Sequence, residues 1–262
     1  MSSIRRAWLP AIAILVATLC APRTEAAEIR VMISGGLSAA YKELAPQFEK
    51  ATGNTVITSY GPSMGSTENA IPVRLARGEP ADVLIMVGDA LGVMISKGLA
   101  DAGSRVDLVR SPIGMVVRAG APKPDISTPE ALKATLLAAK SVAYSDSASG
   151  VYVGTELFKK LGIASEMEGK ARMIPADPVA GVVANGDAEL GFQQISELLP
   201  IPGADLVGPL PPELQKITIF SAALTKEAKA REQGKALVDF LASPAAAPAL
   251  VKSGMEPIAP AR

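Results

Sequence analysis

The sequence predicts an α/β protein of two units, each a mostly parallel sheet with helices on both faces, exported from the cytoplasm. Three observations point there. The N-terminus reads as a leader, strand–helix alternation runs through the chain twice, and small polar residues follow several strands directly before a helix.

The 262 residues suffice for one large core or two smaller ones. Lys and Arg number 26, as do Asp and Glu, so no basic excess marks a nucleic-acid partner. There is no His, which removes His-dependent triads and His-ligated metals. Arg5 and Arg6 precede an apolar run from Ala7 to Ala21, and Pro22 breaks it before Thr24-Glu25-Ala26. Basic, apolar and small-residue segments in that order are a secretory signal, residues 1–26, cut after Ala26. The apolar run is too short for the roughly 20 residues of a membrane span. Cleavage takes away Arg5, Arg6, Arg23 and Glu25, leaving 23 basic and 25 acidic residues. Trp8 and Cys20 go with them, so a periplasmic mature chain has no disulfide or thiol chemistry.

The first unit opens with a strand at Ile29–Ile33 that ends in Ser34-Gly35-Gly36. Leu37, Tyr41, Leu44 and Phe48 then recur at helical spacing up to Gly53. The β-branched run Thr55–Tyr60 is the second strand, and a Gly/Ser turn at Gly61–Ser66 leads into a helix ending near Gly78. Asp82–Met86 is the third strand, followed by a helix to Lys97. The second unit begins near Pro112 with a strand at Met115–Val117. Ser127-Thr128-Pro129-Glu130 reads as a helix start with a capping box. Ser141–Tyr144 is a strand ending in Ser145–Gly150, before a helix over 151–161. A strand at Ala171–Ile174, a helix at 178–186 and a strand at Leu190–Phe192 follow, then a late strand at Ile217–Phe220 and helices at 227–242 and 244–253. Proline-rich crossings near 110–113 and 208–214 divide the mature chain into 27–110 plus 215–262 and 111–214, and are the hinge candidates.

Gly61-Pro62-Ser63-Met64-Gly65 matches the Gly-x-Ser-x-Gly elbow of serine hydrolases, between a strand and a helix. That chemistry needs a base for the serine proton, and neither a His nor a Ser-x-x-Lys pair is present, so the chain is not read as an enzyme and an exported serine hydrolase is the lower alternative. The recurring theme is instead Ser34-Gly35-Gly36, Ser63-Met64-Gly65-Ser66 and Ser147-Ala148-Ser149-Gly150. Helix N-termini offer unpaired N–H groups and partial positive charge, glycine admits close approach, and serine adds donors without charge. Together they form a site for a small anion held by dipoles. Arg74, on the helix after the second loop, reads as a surface residue.

The pattern Ile29–Ser38, Phe48–Gly53 and Arg77–Val83, with Val238–Pro244 and Lys252–Met255 at the end, resembles the periplasmic molybdate-binding solute-binding proteins of ABC importers (ModA type). The resemblance implies the two-lobed periplasmic-binding-protein fold of type II, with an oxyanion clamped between lobes by hydroxyls and backbone amides. It implies contacts at Ser34, Gly35, Gly36 and Ser38, at Ser63, Met64, Gly65 and Ser66, at Ser147, Ser149 and Gly150, and at Gln193 and Gln194. It also implies a membrane permease as partner, a monomer, and no cofactor or metal. This chain has Gly35-Gly36-Leu37 where the family commonly has Ala-Ser-Leu, a longer loop over Gly61–Ala70, and Gln193-Gln194 where a tyrosine is frequent. An organic di- or tricarboxylate using the glutamine amides is therefore the alternative ligand to a molybdate- or tungstate-type oxyanion.

Overall fold

A computed structural model describes residues 26–175 and 177–258. The expected leader, Ala26 apart, lies outside them. No helix among the described residues is long and apolar enough to cross a membrane.

In chain order the strands are β1 (Glu28–Ile33), β2 (Thr55–Tyr60), β3 (Val83–Val87), β4 (Val106–Ser111), β5 (Ile113–Arg118), β6 (Val142–Ser145), β7 (Ala171–Ile174), β8 (Leu190–Gln194), β9 (Ala204–Pro209), β10 (Thr218–Leu224) and β11 (Glu256–Pro257). The helices are α1 (Gly35–Thr52), α2 (Ile71–Ala76), α3 (Gly88–Ser96), α4 (Pro129–Ala138), α5 (Ala148–Tyr152), α6 (Phe158–Lys160), α7 (Ala164–Met167), α8 (Val179–Asn185), α9 (Ile195–Leu198), α10 (Arg231–Leu241) and α11 (Ala247–Lys252).

They form two sheets, ordered β11-β4-β10-β3-β1-β2 and β7-β6-β8-β5-β9. Each has a parallel core of three strands, β2-β1-β3 and β7-β6-β8. β10 and β5 pair antiparallel to these cores, and β4 and β9 pair antiparallel to β10 and β5 in turn. Alternation explains why both faces are covered. Ile29, Val31 and Ile33 of β1, with Val83 and Ile85 of β3, enter the core under α1, α10 and α11. Met32, Leu84 and Met86 point the other way, into the core that includes Ala90, Leu91 and Met94 of α3. The second sheet repeats the arrangement, with Ile113, Met115 and Val117 on one face and Val116 on the other.

Three strands escape the sequence patterns: β4, β9 and the two-residue β11. β4 interrupts its apolar residues with Asp107 and Arg110, and β9 is half-buried throughout, so neither shows clean alternation. The helix at 129–138 is capped by Thr128, whose hydroxyl accepts from Ala131 N at 3.1 Å, one residue later than the predicted Ser127. The helix expected over 151–161 begins already at Ala148 and passes through a π-turn at Val153–Leu157. The helix after the Gly/Ser turn starts only at Ile71, leaving 61–70 as a loop.

The chain passes between the sheets twice, at Pro112 between β4 and β5 and over residues 210–217 between β9 and β10. These crossings are bonded to each other. Gln215 mimics a strand, accepting from Ile113 N at 2.8 Å and donating to Ile113 O at 3.0 Å. Gln194, at the end of β8, accepts from Thr218 Oγ1 at 2.8 Å and donates to Ser111 Oγ at 2.8 Å and Ser111 O at 3.0 Å, the amide orientation that satisfies both ends. Ile195 N donates to Pro112 O at 3.0 Å, and Tyr152 Oη to Leu214 O at 2.6 Å. Asp82 ties the first lobe together. Its carboxylate accepts from Arg30 N at 2.8 Å, Lys229 N at 2.7 Å and Ala230 N at 3.0 Å, joining β1 to the start of α10.

Gly150 has no room for a methyl group, because a Cβ there would collide with the backbone of Ser145. Gly150→Ala is expected to cost at or above the usual ~1–3 kcal/mol of overpacking, read as a lower midpoint in denaturant unfolding. An unchanged midpoint would mean that the junction between β6 and α5 yields.

Candidate functional site

The parallel strands β1, β6 and β8 all end facing the cleft between the lobes, and helices start there. Ligand crevices in open α/β sheets form at such carboxyl ends. A cavity of about 600 Å³ occupies this place, walled by both lobes. From the first lobe come Ser34, Gly35, Gly36, Ser38, Lys42, the loop residues Pro62, Ser63 and Met64, and Phe220. From the second come Asp146, Ser147, Asp177, Gln193, Gln194, Ser196 and Glu197.

Of the thirteen residues singled out in the sequence, Gly65, Ser66, Ser149 and Gly150 are not on this wall; the other nine are. Gly65 lies at positive φ in the loop, and Ser66 is exposed. Ser149 is 1 % exposed and backs the wall, its hydroxyl 3.2 Å from that of Ser145 and 3.3 Å from that of Ser147, which lines it. Ser63 Oγ accepts from Val87 N at 2.9 Å, so this serine pins its loop to the end of β3. Seven residues separate it from α2, unlike a nucleophile elbow, where the helix follows at once. Arg74 does not line the cavity; it is paired with Glu79 and donates to the backbone of a lining residue, Tyr60 O, at 3.3 Å. Gly36 is needed for packing, since a Cβ there would strike the Phe220 ring.

Three wall residues carry the chemistry, and of these the sequence patterns flagged only Ser34. The hydroxyls of Ser34 and Ser196, 3 % and 1 % exposed, are buried without a hydrogen-bond partner among the described residues. Buried polar atoms are nearly always paired, and here an orphan from each lobe belongs to the wall of one cavity. The third is Glu197, on the short helix α9. Burial pushes its carboxyl up to about 7, a hydrogen bond from Gln193 opposes the rise, and the charge of Asp146 adds to it. The carboxyl reaches across the cleft to α1, where a Cβ on Gly35 would collide with Oε1. Glu197 thus changes protonation near neutral pH inside the cavity. Its surroundings create that property: a Glu after Ser196 looks in the sequence like any solvated helix residue.

The wall's electrostatics are mixed. Lys42 is its one cationic side chain among the described residues, with Nζ 5.4 Å from the centre of the Tyr60 ring, against Asp146, Asp177 and Glu197. An anion here would rest on hydroxyls, amides, the N-terminal end of α1 and Lys42, helped by a partly neutral Glu197. No group of three or more His, Cys, Asp or Glu residues comes together to hold a metal among the described residues.

Comparison with known proteins sharpens this picture. The chain is 51% identical over 230 residues to an aconitate isomerase from a Pseudomonas species, covering 88% of both chains. It is 29% identical over 241 residues to the molybdate-binding protein ModA of Azotobacter vinelandii, covering 88% of this chain and 91% of that one. The solved periplasmic molybdate-binding protein of Azotobacter vinelandii shares the two-lobed fold, with a TM-score of 0.69 over 89% of this chain and 100% of that one at 20% identity. The expectation that the chain is not an enzyme is corrected here, because a relative this similar carries the name of one. The absence of His and of a Ser-x-x-Lys pair removes those bases only, and a single carboxyl whose pKa burial raises into the working range can serve instead. The model of the bacterial extracellular solute-binding proteins matches residues 29–256, and this chain belongs to that family.

Proposed function

We propose that the protein is an exported, periplasmic member of its family that captures aconitate, or a closely related unsaturated tricarboxylate, between its lobes and isomerises it. The observation that carries the reading is Glu197, a carboxyl pushed up to about 7 in a cavity walled by uncharged donors from both lobes. The 51% identical aconitate isomerase supports the choice of substrate. Size supports it too, because about 600 Å³ suits an organic ligand better than a single tetraoxoanion.

The chemistry asks for one proton carrier. Aconitate has a double bond between two carbons that each bear a carboxylate, and a methylene that is both allylic to it and next to the third carboxylate. A base that removes a methylene proton leaves an allylic carbanion, with charge spread into the carboxylates. Return of the proton to the far end of the allyl system, or to the same carbon after bond rotation, gives the isomer. The proton removed is replaced by one proton, so no oxidant, reductant or cofactor enters the balance. Glu197 is the carrier in this proposal, and its raised pKa suits it to both halves of the step. Ser34 and Ser196 offer hydroxyls to substrate carboxylates, with Ser147 and Lys42 beside them.

Capture would follow closure of residues 27–110 plus 215–262 on residues 111–214 about the crossings near 110–113 and 208–214, since a ligand touching both walls favours the closed form. A second reading keeps the capture and drops the turnover: a monomer that hands a bound anion to an importer permease. The ModA relative favours it. In that case the ligand is either a carboxylate or a molybdate-type oxyanion.

Proton NMR of cis- and trans-aconitate with the purified protein in deuterated buffer separates the two. Interconversion with deuterium uptake at the methylene carbon is expected, and a protein that binds aconitate without converting it would leave only the capture role. Glu197→Gln is expected to lower kcat by about 10²–10⁴-fold. In the parent protein kcat/KM should rise with pH through about 7, because the free carboxylate is the base.

The same carboxyl makes a stability prediction. Its native pKa of about 7 exceeds the ordinary 4.5, so the native state holds more protons between those values. Stability is therefore full below about 4.5 and declines as pH rises towards and through 7. Glu197→Gln should then raise Tm at pH 8 more than at pH 5, and equal changes at both would remove the buried carboxyl from the account.

A thermal-shift panel of cis- and trans-aconitate, citrate, molybdate, tungstate and sulfate identifies the ligand class, since whatever binds the native state raises Tm. The aconitates are expected to give the largest shifts. Ser34→Ala should weaken the best ligand by about 1–3 kcal/mol through loss of a buried donor, and an unaltered shift would move the contact elsewhere.

A further inference from the structure

The cavity wall has two unlike ends, and one face of α1 connects them. At the buried end the helix starts after Ser34, whose hydroxyl has no partner among the described residues, and the other lobe adds the orphaned Ser196 hydroxyl to the same wall. Gly35, Ser38, Ala39 and Lys42 follow at helical spacing, and all four line the cavity. Ser38 is committed along the way, because its hydroxyl donates to Ser34 O at 3.1 Å. Lys42 ends the row and is exposed at the rim. Eight residues of helix place its backbone about 12 Å along the axis from Ser34. Helical side chains lean towards the N-terminus, so its stem runs back towards the buried end.

Tyr60 marks where that stem finishes. It is the last residue of β2 and pairs in register with Ile33, next to Ser34, and it lines the same cavity. Lys42 Nζ lies 5.4 Å from the centre of the Tyr60 ring. The ring holds the ammonium beside the strand ends, and no carboxylate pairs with it among the described residues.

We propose that Lys42, held over the Tyr60 ring, is the specificity-determining residue that recognises a third carboxylate and so selects tricarboxylates over dicarboxylates. This deepens the aconitate reading and rests on its capture step, not on turnover.

Charge balance explains why one lysine decides this. Asp146, Asp177 and Glu197, all on the other lobe, line the same cavity and oppose each negative charge that a ligand brings. The buried end answers with neutral donors, the two serine hydroxyls and the first N–H groups of an 18-residue helix. A further carboxylate that reaches the rim meets Lys42, the one cationic side chain on the wall among the described residues. A charge-assisted hydrogen bond there is stronger than one between neutral groups. A dicarboxylate seated at the buried end leaves Lys42 over Tyr60 and in water, as in the free protein.

Isothermal titration of the purified protein with cis- and trans-aconitate, and with the unsaturated dicarboxylates itaconate and mesaconate, tests this. The parent protein is expected to bind the aconitates more tightly than the dicarboxylates. Lys42→Met keeps an unbranched side chain on the helix and removes the charge. It should weaken the aconitates by about tenfold or more, and the dicarboxylates by less than about threefold. Lys42→Arg keeps the charge and should keep the preference. The Tm of ligand-free Lys42→Met should match the parent, because the side chain is exposed.

Equal weakening of tricarboxylates and dicarboxylates overturns the proposal, since Lys42 would then attract any anion alike. Unaltered aconitate binding in Lys42→Met also overturns it, with the aconitate reading left standing. A parent protein that binds none of the four overturns both. If Lys42→Met abolishes the preference but the parent converts neither aconitate, the isomerase step fails and selection by Lys42 survives.

Discussion

The two crossings between the sheets are the constraint on which the rest of the molecule depends. A strand that leaves one sheet at Ser111 enters the other at Ile113, and the return over 210–217 lies against it, joined by the side chains of Gln194 and Gln215. Because the crossings are bonded to one another, the lobes are held with the carboxyl ends of their parallel strands facing one cleft. The junctions at Ser34, Ser147 and Gln193 therefore meet at a single cavity, although more than a hundred residues separate the first from the second. Amide side chains suit this task. Each supplies a donor and an acceptor without charge, so a buried crossing is satisfied without a buried ion.

The same economy governs the cleft. A wall carrying Lys42 against three carboxyls would repel an anion if formal charges decided binding. Hydroxyls, oriented amides and the start of an 18-residue helix supply positive potential without ions. Burial pushes one of the carboxyls, Glu197, up to about 7, so it carries only part of a full charge at neutral pH. In the proposed reading, a solute-binding fold gains proton transfer through one carboxyl of raised pKa, with no change of architecture. A scaffold that held an anion by dipoles would, in that reading, also exclude water and fix the ligand, two of the conditions that allylic proton transfer requires.

Much of the fold was legible in the sequence because it rests on local periodicity. The runs at Ile29–Ile33, Thr55–Tyr60 and Asp82–Met86, and the spacing of Leu37, Tyr41, Leu44 and Phe48, reflect which faces are buried, and the structure puts strands and a helix there, the third strand one residue later at Val83–Val87. β4 and β9 were not legible, since strands beside a crossing are only partly buried and their polar residues break the alternation. The loop residues at the strand ends announced a shared cleft through their composition, and Ser34, Ser63 and Ser147 do line one cavity.

Its chemistry was not legible. The sequence by itself determined the secondary-structure order, the strand-end loops and the absence of His, because these depend on residue type and short-range spacing. Only the tertiary structure decided that Ser196 would be buried without a partner among the described residues, that Gln193 would accept from Val179 N, and that burial would push Glu197 up to about 7. Desolvation and hydrogen bonding depend on what surrounds a group in space, and residues far apart in the chain supply those surroundings here.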